Sequence, residues 1–290
     1  CWHNQWVSQI LSIQSSVAYG FAGNSAAVFA IRRFGMDVWP VMTVNFSNHT
    51  GYGAWRGTQM TAPEVLDIVT GIDERGVLPQ VDALLTGYLG RPEITSAAVE
   101  AARLLKQRNP QAIFMCDPVM GSADTGCFVD PAVPDMIRQV VAPRADIMSP
   151  NLFELGFLTG MPVDTMAHTM AAIDHLRSTG PRTVLVTSAN VADADRSVNR
   201  MIAVSDQGAW QVETPDLGRP FTGSGDITAA MFLAHLVRGD DLATALAQTA
   251  SIVYSVLRRT AELNSAELAL VQAQDEFAHP SHHFQAVAVA

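Results

Sequence analysis

Short apolar segments alternate with longer amphipathic ones along most of the chain, and this alternation constrains the fold more than any other feature. The short segments have the length and β-branched content of strands, and the longer ones have helical spacing with helix stop signals. Strands are predicted at 9–13, 38–44, 81–87, 112–118, 145–151 and 183–188, and helices at 23–35, 62–76, 93–109, 132–141 and 169–180. Strand and helix repeated in this way predict an α/β fold with a mostly parallel sheet covered on both faces.

The last third of the sequence changes character. Residues 200–214 predict an antiparallel hairpin at one edge of the sheet, 215–226 a loop, and 227–239, 241–262 and 265–278 three closing helices. We find no linker or internal repeat, and 48% hydrophobic residues are ample for one core. The chain is therefore predicted to be a single domain over 1–290, in which residues 1–6 form an irregular start.

Charge and cysteine content exclude several classes of partner. A formal net charge of −10 argues against nucleic acid, which requires basic patches. Lys106 is the only lysine, so an anionic substrate would need arginine, backbone N–H groups or Mg²⁺. Three cysteines, Cys1, Cys116 and Cys127, form no C-x-x-C pair, and no apolar run approaches a membrane span of roughly 18 residues. We expect a cytoplasmic protein with reduced thiols and no membrane partner.

The stretch FTGSGDITAAMF, residues 221–232, places Asp226 directly after a glycine-rich turn and before a predicted helix. In one interpretation Ser224 or Asp226 caps the helix and the glycines turn the chain. In the other, Gly223 and Gly225 let the backbone approach an anion at the helix N-terminus, and Asp226 faces that anion. The stretch alone leaves both open.

Several polar residues lie where predicted strands end. Four of the strands end at or near Ser15, Asp117, Asn151 and Thr187, and Glu154 comes shortly after Asn151. Ligands of parallel sheets bind at the carboxyl ends of strands, so these side chains are candidates for one site. Asp117 and Glu154 are placed where Mg²⁺ between phosphates could be held, directly or through water. The alternative is local: Asp117 caps a turn, and Glu154 is a first-turn acid of a helix that starts near Asn151.

Six motifs occur together in one order: LSIQSSVAYGFAGNSAAVF, TVNFSNHTGYG, LLTGYLG, CDPVMG, SPNLFEL and GSGD. In these motifs the sequence resembles the pyridoxal kinases of the ribokinase-like superfamily over nearly its whole length, and FSNHTGY is the most specific of them. The resemblance implies a three-layer α/β/α sandwich with an antiparallel edge hairpin. It also implies ATP-dependent phosphorylation of the 5'-hydroxymethyl group of pyridoxal, and of pyridoxine and pyridoxamine, by a homodimer with Mg²⁺. A monovalent cation is a further candidate cofactor.

The resemblance assigns roles to individual residues. Asp226 matches the catalytic base, and Gly223, Ser224 and Gly225 match the anion hole for the transferred phosphoryl group. Matches to the vitamer site are Ser15, Thr50 and Gly51 as polar or turn positions and Val44, Phe46 and Tyr88 as apolar walls. Matches to ATP contacts are Asp117, Ser149, Glu154, Thr187 and Ser188, with Thr214, Pro215, Asp216 and Leu217 flanking the adenine and Gly223 near the phosphates. Asp117, Asn151 and Glu154 match the metal site.

Some features depart from the pattern or stay outside it. Some family members carry lysine where this chain has Thr187, and TPDLGRPF is short for a nucleotide lid. These two departures favour one alternative, a vitamer binder with little turnover. A kinase for another ring alcohol such as hydroxymethylpyrimidine is a second alternative, because GSGD alone also fits such kinases. His49 is a candidate for a ligand or subunit contact. The C-terminal HPSHH, residues 279–283, is interpreted as a solvated or docked tail without metal.

The position of Asp226 also predicts the acidity of its carboxyl group. A carboxylate at a helix N-terminus is favoured in its charged form by the dipole and the free N–H groups, so Asp226 is predicted to be a weak base.

Overall fold

The computed structural model describes residues 7–191, 195 and 197–289. Its strands are, in chain order, β1 Gln9–Val17, β2 Asp37–Phe46, β3 Gly57–Gln59, β4 Ala83–Thr86, β5 Ile113–Cys116, β6 Gly121–Ser122, β7 Gly126–Cys127, β8 Ile147–Met148, β9 Thr183–Val186, β10 Val198–Ser205, β11 Gly208–Pro215 and β12 Val287–Ala288. Its α-helices are α1 Asn24–Arg33, α2 Ala62–Glu74, α3 Pro92–Arg108, α4 Val133–Met136, α5 Leu152–Thr159, α6 Met166–Thr179, α7 Ser224–Arg238 and α8 Leu242–Glu262. A π-helical turn, Ile137–Val141, extends α4.

Ten of the strands form one sheet in the order β12-β11-β10-β9-β8-β5-β4-β1-β2-β3. The six strands from β9 to β2 are parallel, and β10, β11, β12 and β3 are antiparallel to their neighbours. The six predicted parallel strands and the β10–β11 hairpin are confirmed. The outer strands β3 and β12 were not predicted, because two or three residues are too short to give a periodic signal.

Helices cover both faces of this sheet, as predicted. Residues of α2 to α6 pack with one set of strand side chains, and residues of α1, α7 and α8 pack with the other. Neighbouring residues along a strand serve opposite faces: Leu84 belongs to the first core, and Ala83 and Leu85 belong to the second. The result is a three-layer α/β/α sandwich.

One predicted helix is wrong. Residues 265–278 have helical spacing, but only Gln274–Phe277 form a single 3₁₀ turn. Asn264 has a φ of 48°, which ends α8 and turns the chain back toward it. Leu268 and Leu270 are buried in the core from an irregular segment, so the apolar spacing reflects burial without a helix.

Within the described residues, no helix is both long and apolar enough to cross a bilayer.

Candidate functional site

The glycine-rich turn at Gly223 leads directly into α7, and no side chain caps that helix. Gly223 is the N-cap residue with a φ of 88°, and a Cβ there would lie 2.1 Å from the carbonyl oxygen of Phe21. Only glycine therefore fits this turn. By contrast, α5 and α8 are capped by Asn151 and Asp241. The capping interpretation of the turn is not supported. The Ser224 N–H donates to the carbonyl oxygen of Phe221 at 3.2 Å, whereas no described side chain occupies the N–H groups of Gly225 and Asp226, which are available to an anion.

Two cavities meet at this turn. The first has a volume of about 250 Å³, and the second of about 620 Å³. Phe221, Ser224 and Gly225 line both cavities, whereas Asp226 lines only the smaller one. A group passing from one cavity to the other would pass the N-terminus of α7.

The smaller cavity contains most of the residues predicted for the vitamer site. Those lining it are Ser15, Val44, Phe46, Thr50, Tyr88 and Asp226, together with Gly223, Ser224, Gly225 and Asp117. Gly51 does not line it; this residue is exposed in the 3₁₀ turn Thr50–Tyr52. His49, a candidate contact, does line the cavity.

Ser15 reaches the cavity through an irregularity in β1. The strand was predicted to end at Ser15, but it continues to Val17. Its pairing with β2 shifts between Gln14 and Ser16, which leaves Ser15 without a regular partner. Such bulges redirect side chains and are common beside functional sites.

The larger cavity is lined by most of the residues predicted to contact the adenine and the phosphates of ATP. Those lining it are Asn151, Thr187, Ser188, Thr214, Pro215, Asp216 and Leu217. Ser188 has a φ of 50°, a conformation that a non-glycine residue seldom adopts and that often marks a functional position. Ser149 and Glu154 line neither cavity, and both are buried behind the site.

Glu154 and Asn151 form a reciprocal cap at the start of α5. The Asn151 side chain accepts from the Glu154 N–H at 2.9 Å, and Glu154 Oε2 accepts from the Asn151 N–H at 2.9 Å. Glu154 Oε1 also accepts from the N–H of Met120 at 2.9 Å and of Gly121 at 3.4 Å. Because these contacts occupy both carboxylate oxygens, Glu154 is oriented mainly toward the protein backbone. Burial nevertheless raises its pKa to about 7.

Asp117, which is buried, and Asp226, which is half-buried at the cavity wall, are the other two acids of the site. Burial, followed by the nearby carboxylates of Glu154 and Asp226, raises the pKa of Asp117 well above its usual value. Burial raises the pKa of Asp226 to about 6, although a hydrogen bond from the Gly23 N–H partly opposes the shift. The prediction that the helix N-terminus makes Asp226 a weak base is therefore wrong, because removal from water outweighs the dipole.

Several lining residues were not predicted. In the smaller cavity they include Phe128, which stacks on Tyr88 with ring centroids 6.4 Å apart. In the larger one they include Tyr254 and Arg219. Phe128 follows the small β6–β7 hairpin, and Tyr254 belongs to the apolar pattern of α8, so neither carried a sequence signal distinct from core. Arg219 lies in the quoted loop and could have been selected as its only cation.

Comparison with known proteins agrees with this arrangement. A family model described as Phosphomethylpyrimidine kinase matches residues 68–270. The pyridoxal kinase PdxY of Leifsonia xyli is 51% identical over 276 residues, which cover 95% of this chain and 98% of that protein. The PdxY of Corynebacterium diphtheriae is 47% identical over 281 residues, covering 97% and 99%. The structure of a Leishmania donovani pyridoxal kinase in complex with ADP and pyridoxamine superposes with a TM-score of 0.91 at 27% identity, covering 98% and 100%.

Fold, cavities and family model together define a small-molecule kinase of the ribokinase-like class. Within this class, the relatives that are 51% and 47% identical over almost the whole chain are pyridoxal kinases. The chain belongs to the pyridoxal kinase PdxY family.

Proposed function

We propose that the protein is an ATP-dependent pyridoxal kinase that transfers the γ-phosphoryl group to the 5'-hydroxymethyl group of pyridoxal, giving pyridoxal 5'-phosphate. The observation that carries the proposal is the turn Gly223–Gly225 between the two cavities, with Asp226 on the side of the smaller one. The smaller cavity, with apolar walls at Val44 and Phe46, suits a substituted pyridine. The larger one suits the nucleotide.

Asp226 is the proposed base on the acceptor side. A carboxyl group with a pKa of about 6 is mostly ionised at neutral pH, yet accepts a proton more readily than an ordinary aspartate. It orients the vitamer hydroxyl toward the turn and takes up its proton during transfer. Ser15 and Thr50 are the proposed polar contacts to the ring.

Charge stabilisation on the donor side must come from few groups. Phosphoryl transfer depends on positioning and on donors aimed at the phosphoryl oxygens, which the N–H groups at the start of α7 can supply. Among the residues that the structure describes, Arg219 is the only lysine or arginine lining either cavity. Its Nε is buried without a hydrogen-bond partner among the described residues, and Arg219 makes no ion pair with a described carboxylate. We assign Arg219 the cationic role that lysine at the position of Thr187 has in other members.

The acids behind the turn fit Mg²⁺. Asp117 is a buried oxygen donor beside Glu154, and within the described residues neither has a lysine or arginine partner. No three His, Cys, Asp or Glu side chains of the described part are grouped as a metal site, so a bound Mg²⁺ would also need water and phosphate oxygens as ligands. Asp117 is the proposed contact, with Asn151 and Glu154 acting through water or by holding the β6–β7 hairpin. The bound ion would neutralise phosphate charge.

Substrate identity can be tested with a panel of alcohols. Phosphorylation of pyridoxal, pyridoxine, pyridoxamine and hydroxymethylpyrimidine should be compared in Mg-ATP, with pyridoxal 5'-phosphate followed by absorbance. We expect the three vitamers to be substrates and the pyrimidine to be poor. A preference for the pyrimidine would favour the activity named in the matching family model. Tight pyridoxal binding without ATP turnover would favour the vitamer binder.

We propose one kinase domain over 1–290, a homodimer formed through faces near residues 20–60, and a cytoplasmic location where ATP is available. Cys116 and Cys127 are both free, as expected for reduced thiols. A monomer in sedimentation at assay concentration would refute the dimer, and unchanged activity when Na⁺ replaces K⁺ would refute a specific monovalent-cation requirement.

A further inference from the structure

The carboxylate of Glu267 joins two loops that are distant from it in sequence. Its Oε1 accepts a hydrogen bond from the Tyr52 hydroxyl at 2.6 Å and lies 3.2 Å from His49 Nε2. Its Oε2 accepts from the Phe21 N–H at 3.2 Å. The side chain is only 10% exposed and presses on Gly20, where an added Cβ would lie 2.0 Å from Oε2.

Both joined loops form walls of the smaller cavity. His49 and Thr50 line it from the loop that follows β2, and Tyr52 closes the 3₁₀ turn in that loop. Ala22 and Gly23 line it from the loop that follows β1. The Gly23 N–H also acts on the carboxylate of Asp226. Glu267 therefore contacts the supports of the cavity without lining it.

The segment that carries Glu267 is itself fixed to the nucleotide side. Arg219 Nη2 donates to the carbonyl oxygen of Ser265 at 2.5 Å, and Ser265 Oγ donates to the carbonyl oxygen of Glu267 at 2.6 Å. Leu268 Cδ1 lies 3.0 Å from the point that a Cβ on Gly223 would occupy. One short irregular segment thus contacts the anion turn and the cavity loops.

A structural role alone explains this carboxylate poorly. Within residues 7–191, 195 and 197–289, no lysine or arginine forms an ion pair with Glu267; its one potentially cationic neighbour is His49. Withdrawing a carboxylate from water is unfavourable unless hydrogen bonds compensate, and here the compensating donors belong to the two cavity loops. The hydrogen bond also raises the pKa of Tyr52, so its phenol remains a donor.

We propose that Glu267 is a positioning residue for the acceptor site, which holds the loops 20–23 and 47–53 in the conformation that encloses the vitamer. This inference rests on the proposed kinase function. It deepens that function, because it identifies which contact outside the cavity sets affinity for the acceptor. Ordered loops before binding reduce the entropy lost when the vitamer binds.

Two variants test the inference. Glu267→Gln removes the negative charge and leaves one acceptor oxygen, so Tyr52 and Phe21 can no longer both donate to a charged acceptor. Tyr52→Phe removes only the hydroxyl group from a half-exposed ring and should leave folding intact. We expect Glu267→Gln to raise KM for pyridoxal about tenfold, the effect of one hydrogen bond to a charged group, with KM for ATP within about twofold. Tyr52→Phe should produce a smaller rise.

Hydrogen exchange of the protein without ligands supplies a readout that is independent of turnover. Peptides covering 47–56 and 20–23 should exchange faster in Glu267→Gln, while those from β4 and β5 stay unchanged. Asp275→Asn is the matched control: its carboxylate also lies near the C-terminus, pairs with Arg33 at 3.2 Å and is 92% exposed. This control should change neither KM nor exchange.

The outcomes separate the alternatives. Unchanged pyridoxal KM and unchanged exchange in both variants would overturn the inference. An equal rise of both KM values with a lower Tm would also overturn it, because that pattern indicates general packing. Faster exchange at 47–56 in a protein that phosphorylates no vitamer would support the loop contact and refute the proposed kinase activity.

Discussion

Replacement of Asp226 by asparagine tests the proposed reaction most directly. The variant keeps the shape of the side chain and removes its capacity to accept a proton. Loss of a positioned base typically reduces the rate by about 10² to 10⁴, which corresponds to about 3 to 5 kcal/mol in the activation free energy. We expect kcat to fall at least about 100-fold, with dissociation constants for pyridoxal and ATP changed less than about threefold.

The pH dependence follows from the burial of this carboxyl group. With a pKa of about 6, the group is about nine-tenths ionised at pH 7 and about one-tenth ionised at pH 5. The base form is required, so activity should be present above pH 6 and kcat/KM should fall as the pH decreases through 6. An aspartate at its ordinary 3.8 would retain full activity at pH 5. The residual activity of Asp226→Asn should lack this decrease.

The assay follows pyridoxal 5'-phosphate by absorbance, and calorimetric titration measures binding separately. Asp206→Asn is the control, because Asp206 lies on the surface and pairs with Arg177 at 2.6 Å, away from both cavities. The Asp226 variant should also melt no lower than the wild type, since it buries no charge. Retention of more than about one-tenth of wild-type kcat with normal binding would refute the assignment of the base.

Three further predictions concern other parts of the site. Arg219→Met should raise KM for ATP about tenfold, because it removes the one guanidinium that the described residues contribute to the cavities, whereas the surface variant Arg177→Met should not; equal KM values would contradict the assigned role. In Mg²⁺-free buffer, Asp117→Asn should raise Tm relative to the wild type, and the increase should be larger at pH 8 than at pH 5. The raised pKa means that the folded chain binds the proton more tightly than the unfolded chain, so the free energy of unfolding declines as pH rises above about 4, and an equal Tm gain at both pH values would contradict the sign. Gly223→Ala should lower stability by about 1 to 3 kcal/mol, because its backbone is left-handed and a Cβ would overlap a carbonyl, whereas Gly225→Ala has open space and should melt like the wild type.

The sheet could be predicted from sequence because its strands are continuous apolar runs. Segments such as 81–87 and 183–188 are buried on both faces, and covering helices follow from the alternation. The helix prediction for residues 265–278 is wrong because the same apolar spacing also occurs in an irregular segment whose apolar side chains are buried. There the conformation depends on contacts with distant residues, including the hydrogen bond from Arg219 to Ser265, which sequence spacing does not reveal.

Site residues at strand ends and in glycine turns were accessible to prediction for a different reason. A parallel sheet brings Asp117, Asn151 and Thr187 to one edge, and the family motifs identify Asp226. The walls contributed by Phe128 and Tyr254 were inaccessible, because an aromatic residue in an apolar pattern looks like core. The acidity of Asp226 was also inaccessible, since the chain shows the helix start but does not show how far the carboxyl is removed from water.

The uncapped helix start and Arg219 help to explain how a chain with a net charge of −10 and one lysine can bind a nucleoside triphosphate. Lys106 pairs with Asp146 at 2.6 Å and lines neither cavity. Among the described residues, positive potential at the site comes from the uncapped start of α7 and from Arg219. The proposed Mg²⁺ beside Asp117 would add to it. Because the carboxylate of Asp117 is near those of Glu154 and Asp226, the free site would be electrostatically unfavourable for ATP without that ion. Repulsion among these carboxylates should make nucleotide binding depend on Mg²⁺ more steeply than in a member with a lysine at the position of Thr187.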